Sequence, residues 1–426
     1  LECEFASIVA YWSCMTPWQR TLFILVAAQL VSAIGFGMFF PFLPLYVEQL
    51  GTNTGLSLEF WAGMVFSGQA LTMAITSPIW GSLADRYGRK AMIERAMYGG
   101  AAIILLMGFA RSAEELALLR TIQGAITGTI AAINALAASL VPRERTGYAM
   151  GMLQVGLWAG IAAGPMLGGI VADAFGFRAA FLVTSLLLLI SGVVVTFGVQ
   201  EHFTSPPKGV KRPGILTDWR RILALPAVPA AYATRFLNWL GPNMLLPMLP
   251  LYVASLMRGG AGVSTLTGVI VGLSSAAGTV SALYLGRLGD RIGHRRVLLA
   301  GTLVAALCFI PQAFVTAGWQ LLILQALTGA ATGGMNPALS ALLARYTHEG
   351  DEGAVFGIDN SVNSAARAAA PLCGAMIAAW FGLPAIFIAT ALVLLGAAAL
   401  VFRRLPERTV VSSVVSAVQP CEHTQR

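Results

Sequence analysis

Gly81-Ser-Leu-Ala-Asp-Arg-Tyr-Gly-Arg-Lys90 recurs 205 residues later as Gly286-Arg-Leu-Gly-Asp-Arg-Ile-Gly-His-Arg295. The likeness extends outward from that pair. Pro41-Phe-Leu-Pro-Leu-Tyr-Val47 returns as Pro247-Met-Leu-Pro-Leu-Tyr-Val253, Gly124 and Gly128 match Gly329 and Gly333, and Pro165 matches Pro371. Phe175-Gly-Phe-Arg-Ala-Ala-Phe181 likewise matches Phe381-Gly-Leu-Pro-Ala-Ile-Phe387. An offset that stays at 205 to 206 across such separated segments is the mark of a duplicated unit.

Composition says what the unit is made of. The chain has 426 residues, of which 57% are hydrophobic and 11% charged, too apolar a mixture to hide inside a water-soluble globule. Apolar stretches of about 20 residues, the length a helix needs to cross hydrocarbon, recur throughout. Twelve spans are predicted, at 21–47, 60–81, 91–110, 115–141, 148–173, 178–199, 225–254, 264–288, 297–316, 319–344, 354–381 and 384–402. Their continuous apolarity, without alternation, predicts an all-α polytopic membrane protein and excludes a barrel. Spans 6 and 12 are apolar all round, as expected of helices that face lipid.

Basic residues set the orientation. Of 27 Lys and Arg, 21 fall at the N-terminus, in the loops after spans 2, 4, 6, 8 and 10, in the tail, and at Arg95. Arg111, Arg178 and Arg258 fall in the opposite loops, and Arg120, Arg235 and Arg367 within spans. Both termini are therefore expected in the cytoplasm, and the net charge of +8 reflects topology and gives no support for nucleic-acid binding. The predicted layout is an N-terminal segment 1–19, a six-helix half 20–199, a polar linker 200–224, a second half 225–403 and a tail 404–426. Met15 reads as the natural start, with 1–14 as an extension lacking the basic region of a signal peptide.

Cys3, Cys14, Cys308, Cys373 and Cys421 have neither metal-ligand nor disulfide-framework spacing. His202, His294, His348 and His423 all fall in expected cytoplasmic segments. No nucleophile, base or phosphate loop is arranged for catalysis or ATP, so no enzyme activity, metal or cofactor is expected and energy must come from a gradient. Two halves of parallel topology place a substrate site between them near the midplane.

Charged and polar residues inside spans are functional candidates, because each is costly in hydrocarbon without water or a partner. Arg120, Gln123, Thr127 and Asn134 share one face of span 4, and Gln325, Thr328, Thr332 and Asn336 the matching face of span 10, two stripes that suggest a shared cavity. Asp359, Asn363 and Arg367 stack four apart on span 11 beside Asn360, with Asp359 expected to titrate as Arg367 or water approaches or to pair near the cytoplasm. Arg235 and Asn238 in span 7 are further candidates, and Glu94 with Arg95 reads as an interfacial pair. Phe36, Met38, Phe39, Phe40, Phe42, Met64, Phe66, Met73, Met244 and Met248 line an adaptable apolar cavity or pack into the core.

The repeated loop resembles the signature of the major facilitator superfamily, through Gly81, Asp85, Arg86, Gly88, Arg89 and Lys90 and, in the second copy, Gly286, Asp290, Arg291, Gly293 and Arg295. The resemblance implies twelve helices in two six-helix halves and a charge network that latches the halves when the site faces outward; the alternative is that the arginines only anchor the loop. Asp85 also suits the positive N-terminal end of span 11. Span 5 carries Gly160-Ile-Ala-Ala-Gly164-Pro165-Met-Leu-Gly168-Gly169, similar to the motif of the antiporter branch and read as a hinge or as small-residue packing. Arg120, Gln123 and Gly124 resemble the family's R-x-x-Q-G, whose arginine is implicated in proton transfer.

With Gly35, Gly37, Pro41 and Pro44 in span 1, these motifs liken residues 17–403 to bacterial twelve-span drug:proton antiporters. That implies a monomer in the bacterial inner membrane exporting small amphipathic, drug-like molecules in exchange for protons. A metabolite importer and an exporter of lipid-like substrates share the fold and stay open. Span 1 departs from many such exporters in having no acidic residue before Glu48.

Overall fold

The computed structural model describes residues 16–142, 145–201, 215–258, 260–347 and 352–406. Residues 1–15, most of the 200–224 linker, His202, His348 and the tail beyond Pro406 lie outside the described residues. Within them there are seventeen α-helices and no strand, arranged as twelve passages plus a linker helix.

The first half comprises α1 (Pro17–Met38), α2 (Leu43–Leu50), α3 (Leu58–Tyr87), α4 (Arg89–Met107), α5 (Ala113–Ile126), α6 (Thr129–Leu140), α7 (Thr146–Phe175) and α8 (Phe177–Gly198). After the linker helix α9 (Ile215–Leu223), the second half repeats the plan with α10 (Val228–Leu245), α11 (Leu249–Leu256), α12 (Val263–Ile292), α13 (His294–Gln312), α14 (Gly318–Gly333), α15 (Met335–Tyr346), α16 (Glu352–Phe381) and α17 (Ala385–Arg404).

Spans 1, 4, 7 and 10, expected as unbroken helices, are each interrupted. In spans 1 and 7 the cause is the repeated Pro-x-x-Pro: Pro41 and Pro247 carry no N–H for the helix ladder, and Pro44 and Pro250 sit in the first turn of α2 and α11. Span 4 breaks at Thr127 in extended backbone and Gly128 at φ 141°, a conformation closed to side chains with a Cβ. Seven helices are long and apolar enough to cross a membrane by composition alone. Of the remaining passages, spans 4, 7 and 10 are split by these breaks, and α4 carries Arg89, Lys90, Glu94 and Arg95. The chain is a multi-pass membrane protein.

Within the halves α1 packs on α7, α3 on α5, α4 on α8, α12 on α14, and α17 on both α10 and α13. Spans 6 and 12 are not lipid-facing all round. One face of α8 is buried through Phe181, Thr184, Leu188, Ser191 and Val195, with Ser185 donating to the Ala101 carbonyl at 2.8 Å, while Phe197 on its other face is 83% exposed.

Between the halves the main contacts are α7 with α12 and α3 with α16, joined by α2 with α11, and they gather at one end. A Cβ on Gly268 would strike the Pro165 carbonyl, one on Gly169 the Ser264 carbonyl, and one on Gly63 would meet Ala375 at 2.9 Å. At the other end, which carries the two repeated loops, Gly81, Gly151 and Gly286 have nothing within 4 Å of such a Cβ. There Tyr148, Leu283 and Tyr284 are well exposed. A cleft therefore opens between the halves at the loop end and closes at the clasped end.

Gly268→Leu is expected to lower the thermal unfolding midpoint in detergent by a loss of ~2 kcal/mol or more, whereas Gly286→Leu stays within ~0.5 kcal/mol of the parent. Equal midpoints for the two variants would contradict the close backbone seat.

Candidate functional site

The second half gathers three spans around one guanidinium. Arg235 on α10 donates Nε to Asp359 Oδ1 at 2.7 Å, Nη1 to Asn336 Oδ1 at 3.0 Å and Nη2 to Ser340 Oγ at 2.8 Å. Asn363, one turn along α16, donates Nδ2 to the other Asp359 oxygen at 3.3 Å. The Arg235 side chain is 4% exposed and that of Asp359 17%, so the carboxylate is the wet member of the pair. Arg367, expected as the partner of Asp359 from the same helix face, is not: it is exposed, with its guanidinium 5.9 Å from the Trp239 ring. The predicted spacing is correct, but the pair forms across helices because Arg235 approaches from span 7 at the same depth. Asn238 Oδ1 and Nδ2, Trp239 Nε1 and Asn363 Oδ1 are buried without a hydrogen-bond partner among the described residues. Unused donors and acceptors beside a half-wet ion pair are what a polar guest or a proton-carrying water would engage.

The first half holds its charge differently. Arg120 on α5 is 1% exposed and donates Nη1 to Gln123 Oε1 and Nη2 to Gln69 Oε1, the latter at 2.8 Å. Its guanidinium lies 4.5 Å from the Phe39 ring centroid and 5.8 Å from that of Phe66, and no carboxylate pairs with it among the described residues. Amide oxygens and aromatic faces replace a counter-ion. Gln69, missed in the sequence, had a signal as an amide inside the apolar run of span 2. Asn134, expected on the same stripe, is on α6 beyond the Gly128 break and is not joined to Arg120, because the kink resets the helical phase. In the other half Gln325 donates to Gln312 at 3.0 Å and Gln312 to Thr328 at 2.9 Å, so this stripe turns inward to span 9. The two expected stripes therefore do not line one shared cavity. Met38, Phe39, Phe42, Phe66, Met244 and Met248 are buried in the cores and not on cavity walls.

The span 5 motif is a two-sided seat. A Cβ on Gly160 would meet Leu30 O at 2.8 Å and one on Gly164 would meet Ile34 O at 2.7 Å, while one on Gly168 would strike Met38 O, all on α1. Gly169 and Pro165 turn to α12 of the other half. α7 continues unbroken through Pro165. One turn further, Asp173 accepts from the backbone N–H of Ser264 at 3.3 Å and of Thr265 at 2.7 Å. A carboxylate of the first half thus caps the first turn of α12 in the second; only the Asp near the end of span 5 hinted at it.

The loop residues are tied within their own halves. Gly88 and Gly293 adopt φ 96° and 100° between the helices they join, which is the reason for glycine at those two loop positions. Glu201 accepts from Arg89 N at 3.0 Å and Lys90 N at 2.8 Å, and Arg89 Nη1 donates to Ala135 O at 2.7 Å. In the second copy Asp290 pairs with His294 at 3.3 Å, and Arg295 donates to Phe402 O at 2.8 Å. Arg86 and Arg291 are exposed, and the Asp85 side chain lies outside the described residues. The Glu94–Arg95 pair does not form: Glu94 takes Lys90 at 3.7 Å, and Arg95 stacks 3.4 Å over Trp80, whose indole donates to Ala125 O at 2.6 Å beside the break in span 4.

Arg235→Leu leaves Asp359 half-buried and uncompensated, and is expected to destabilise the protein by about 3–5 kcal/mol, most of which returns in the double variant Arg235→Leu/Asp359→Leu. Thermal unfolding in detergent decides, and a single variant as stable as the parent refutes the pairing. Asp173→Ala removes an inter-half bond worth about 1 kcal/mol, so maleimide labelling of a cysteine placed at Thr265 is expected to rise about fivefold; unchanged labelling would mean that the cap does not hold the clasped end.

The sequence profile of the Major Facilitator Superfamily matches residues 25–282 and 234–420. Two relatives named multidrug resistance protein MdtG, from Dickeya zeae (strain Ech586) and Serratia proteamaculans (strain 568), are 36% and 37% identical over 381 residues, covering 89% of this chain and 92% of theirs. In fold the chain is similar to a bacterial homolog of the human lysosomal transporter Spinster in an inward-facing, unoccupied conformation, with a TM-score of 0.76 and 15% identity over 93% of this chain and 98% of that one. It is also similar to the nucleoside transporter NupG, with a TM-score of 0.77 and 12% identity over 91% of this chain and 100% of that one. With duplicated halves joined by span 5 against span 8 and span 2 against span 11, the chain belongs to the Major Facilitator Superfamily, a family of transporters and not of enzymes, alongside bacterial relatives named for multidrug resistance.

Proposed function

We propose that this transporter is a proton-coupled antiporter of the bacterial inner membrane that exports small amphipathic, drug-like compounds by alternating access, as a monomer with both termini in the cytoplasm. The observation that carries the reading is the Arg235–Asp359 pair: a carboxylate 17% exposed, held by a buried guanidinium that also reaches span 10. In the membrane such a group is a functional candidate by default. While Asp359 is ionised, Arg235 neutralises it and spans 7, 10 and 11 are held together. A proton arriving at Asp359 removes that attraction and frees the Arg235 Nε–H, leaving the three spans to repack. A compound entering the cleft and a proton therefore act on the same three helices, which is the coupling that exchange requires.

The clasped end and the open loop end supply the other ingredient, one accessible side at a time. The multidrug-resistance name of the relatives supports a broad substrate range, and the energy source in this reading is the proton gradient, with no cofactor.

In inverted vesicles with an imposed pH gradient, a fluorescent amphipathic dye is expected to accumulate while the gradient dissipates. Asp359→Asn is expected to abolish dye-dependent proton movement, and Arg120→Ala to test whether the sealed arginine lies on the same proton path. Dye-coupled proton flux that survives Asp359→Asn would move the proton step elsewhere, and dye movement without any proton flux would overturn antiport.

A further inference from the structure

A cavity of about 430 Å³ lies at the loop end on the outer flank of the second half, lined by Pro226, Arg295, Phe402, Arg403, Arg404 and Pro406 among others. Three guanidinium-bearing residues converge there from two helices, Arg295 from the start of α13 and Arg403 and Arg404 from the last turn of α17, and among the described residues no acidic side chain lines it. Arg403 and Arg404 alone are what a helix C-terminus at a membrane surface commonly carries. Arg295 is different. Its Nη2 is committed to the Phe402 carbonyl at 2.8 Å, yet its Nε is buried without a partner among the described residues. No carboxylate pairs with Arg295 among the described residues, so an anion in the cavity would supply the counter-charge its guanidinium lacks.

The surroundings select the kind of anion. Phe402 is 66% exposed beside the arginines, and Leu392 on α17 and Leu307 on α13 continue an exposed apolar flank, at 63% and 61%, toward the membrane interior. A free phosphate would use the arginines and leave that flank idle. An amphiphile would use both. At ~30 Å³ per water the cavity has room for about fourteen waters, enough for a phosphoglycerol head.

We propose that Arg295, Arg403 and Arg404 form a binding site for an anionic phospholipid, with the phosphate in the cavity and an acyl chain along Phe402. Pro226 and Ala227 at the start of span 7 form part of the same wall, nine and eight residues before Arg235. The bound lipid therefore sits against the base of the helix that carries the guanidinium, and the assignment does not depend on which substrate or ion is transported.

The test is native mass spectrometry of the delipidated full chain in detergent, titrated separately with phosphatidylglycerol, phosphatidylcholine and inorganic phosphate. One tightly retained phosphatidylglycerol is expected, and removing two positive charges in Arg403→Gln/Arg404→Gln is expected to weaken it roughly 30-fold. Arg403→Lys/Arg404→Lys should retain most of the binding. Arg145→Gln/Arg345→Gln, which removes the same charge from exposed positions at the same end, should leave it unchanged. An equal loss in that control pair reduces the effect to general surface charge and overturns the site. Phosphatidylcholine retained as tightly overturns the anionic requirement, and inorganic phosphate that displaces phosphatidylglycerol at equal concentration overturns the lipid as occupant.

Discussion

The close approach of α7 and α12 backbones is the constraint on which the rest of the molecule depends. It exists only where Gly169, Gly268 and Gly272 leave no side chain between the helices, and Asp173 fastens it by taking the first N–H groups of α12. Holding the halves together at that end opens the cleft at the other, and this decides which polar groups meet water. Arg120 lies seven residues into α5 from the clasped end and Arg235 seven residues into α10 from the loop end, each about 10 Å deep at 1.5 Å per residue. The first is sealed and the second has a wet partner.

The two arginines therefore solve one electrostatic problem in two ways. Arg120 rests on neutral donors and ring faces, an arrangement whose charge does not change when a proton comes or goes. Arg235 rests on a carboxylate, and a carboxylate can lose its charge. Truncating one member of a paired charge exposes the full desolvation penalty of the other, whereas an arginine solvated by amides has no such partner to strand. This difference, more than the presence of charge in a span, separates a guanidinium held by neutral groups from one held by a group that can lose its charge.

Much of this architecture was legible in the chain. The offset of 205 to 206 residues gave the two halves, the apolar run lengths gave the passages, and the span 5 glycines gave close packing without saying which helices they pack against. Periodicity failed where backbone chemistry interrupted it: Gly128 resets the phase of span 4, so Asn134 leaves the face that Arg120 and Gln123 share, and Pro41 and Pro247 split their spans. Pairing failed for another reason. Helical spacing can bring Asp359 and Arg367 to one face, but only packing decides that Arg235, from a passage more than a hundred residues earlier, is nearer. Gln69, Ser340, Asp173 and Glu201 escaped notice because each is a single polar residue whose importance comes wholly from its partner.

The separation of Arg235 from its partners also bears on how the protein is made. Asn336, Ser340 and Asp359 lie 101, 105 and 124 residues downstream of it. During synthesis span 7 enters the membrane with an unneutralised cation, and neither span 7 nor the split span 10 supplies a helix both long and apolar enough to cross a membrane by length and composition alone. The long arginine side chain, seven residues from the helix start, must reach back to the interface until span 11 has been translated. Assembly of the second half is thus gated by the order of translation. A ribosome stalled before Asp359 leaves spans 7 to 10 made but unsettled, and quality control has a defined window in which to recognise them.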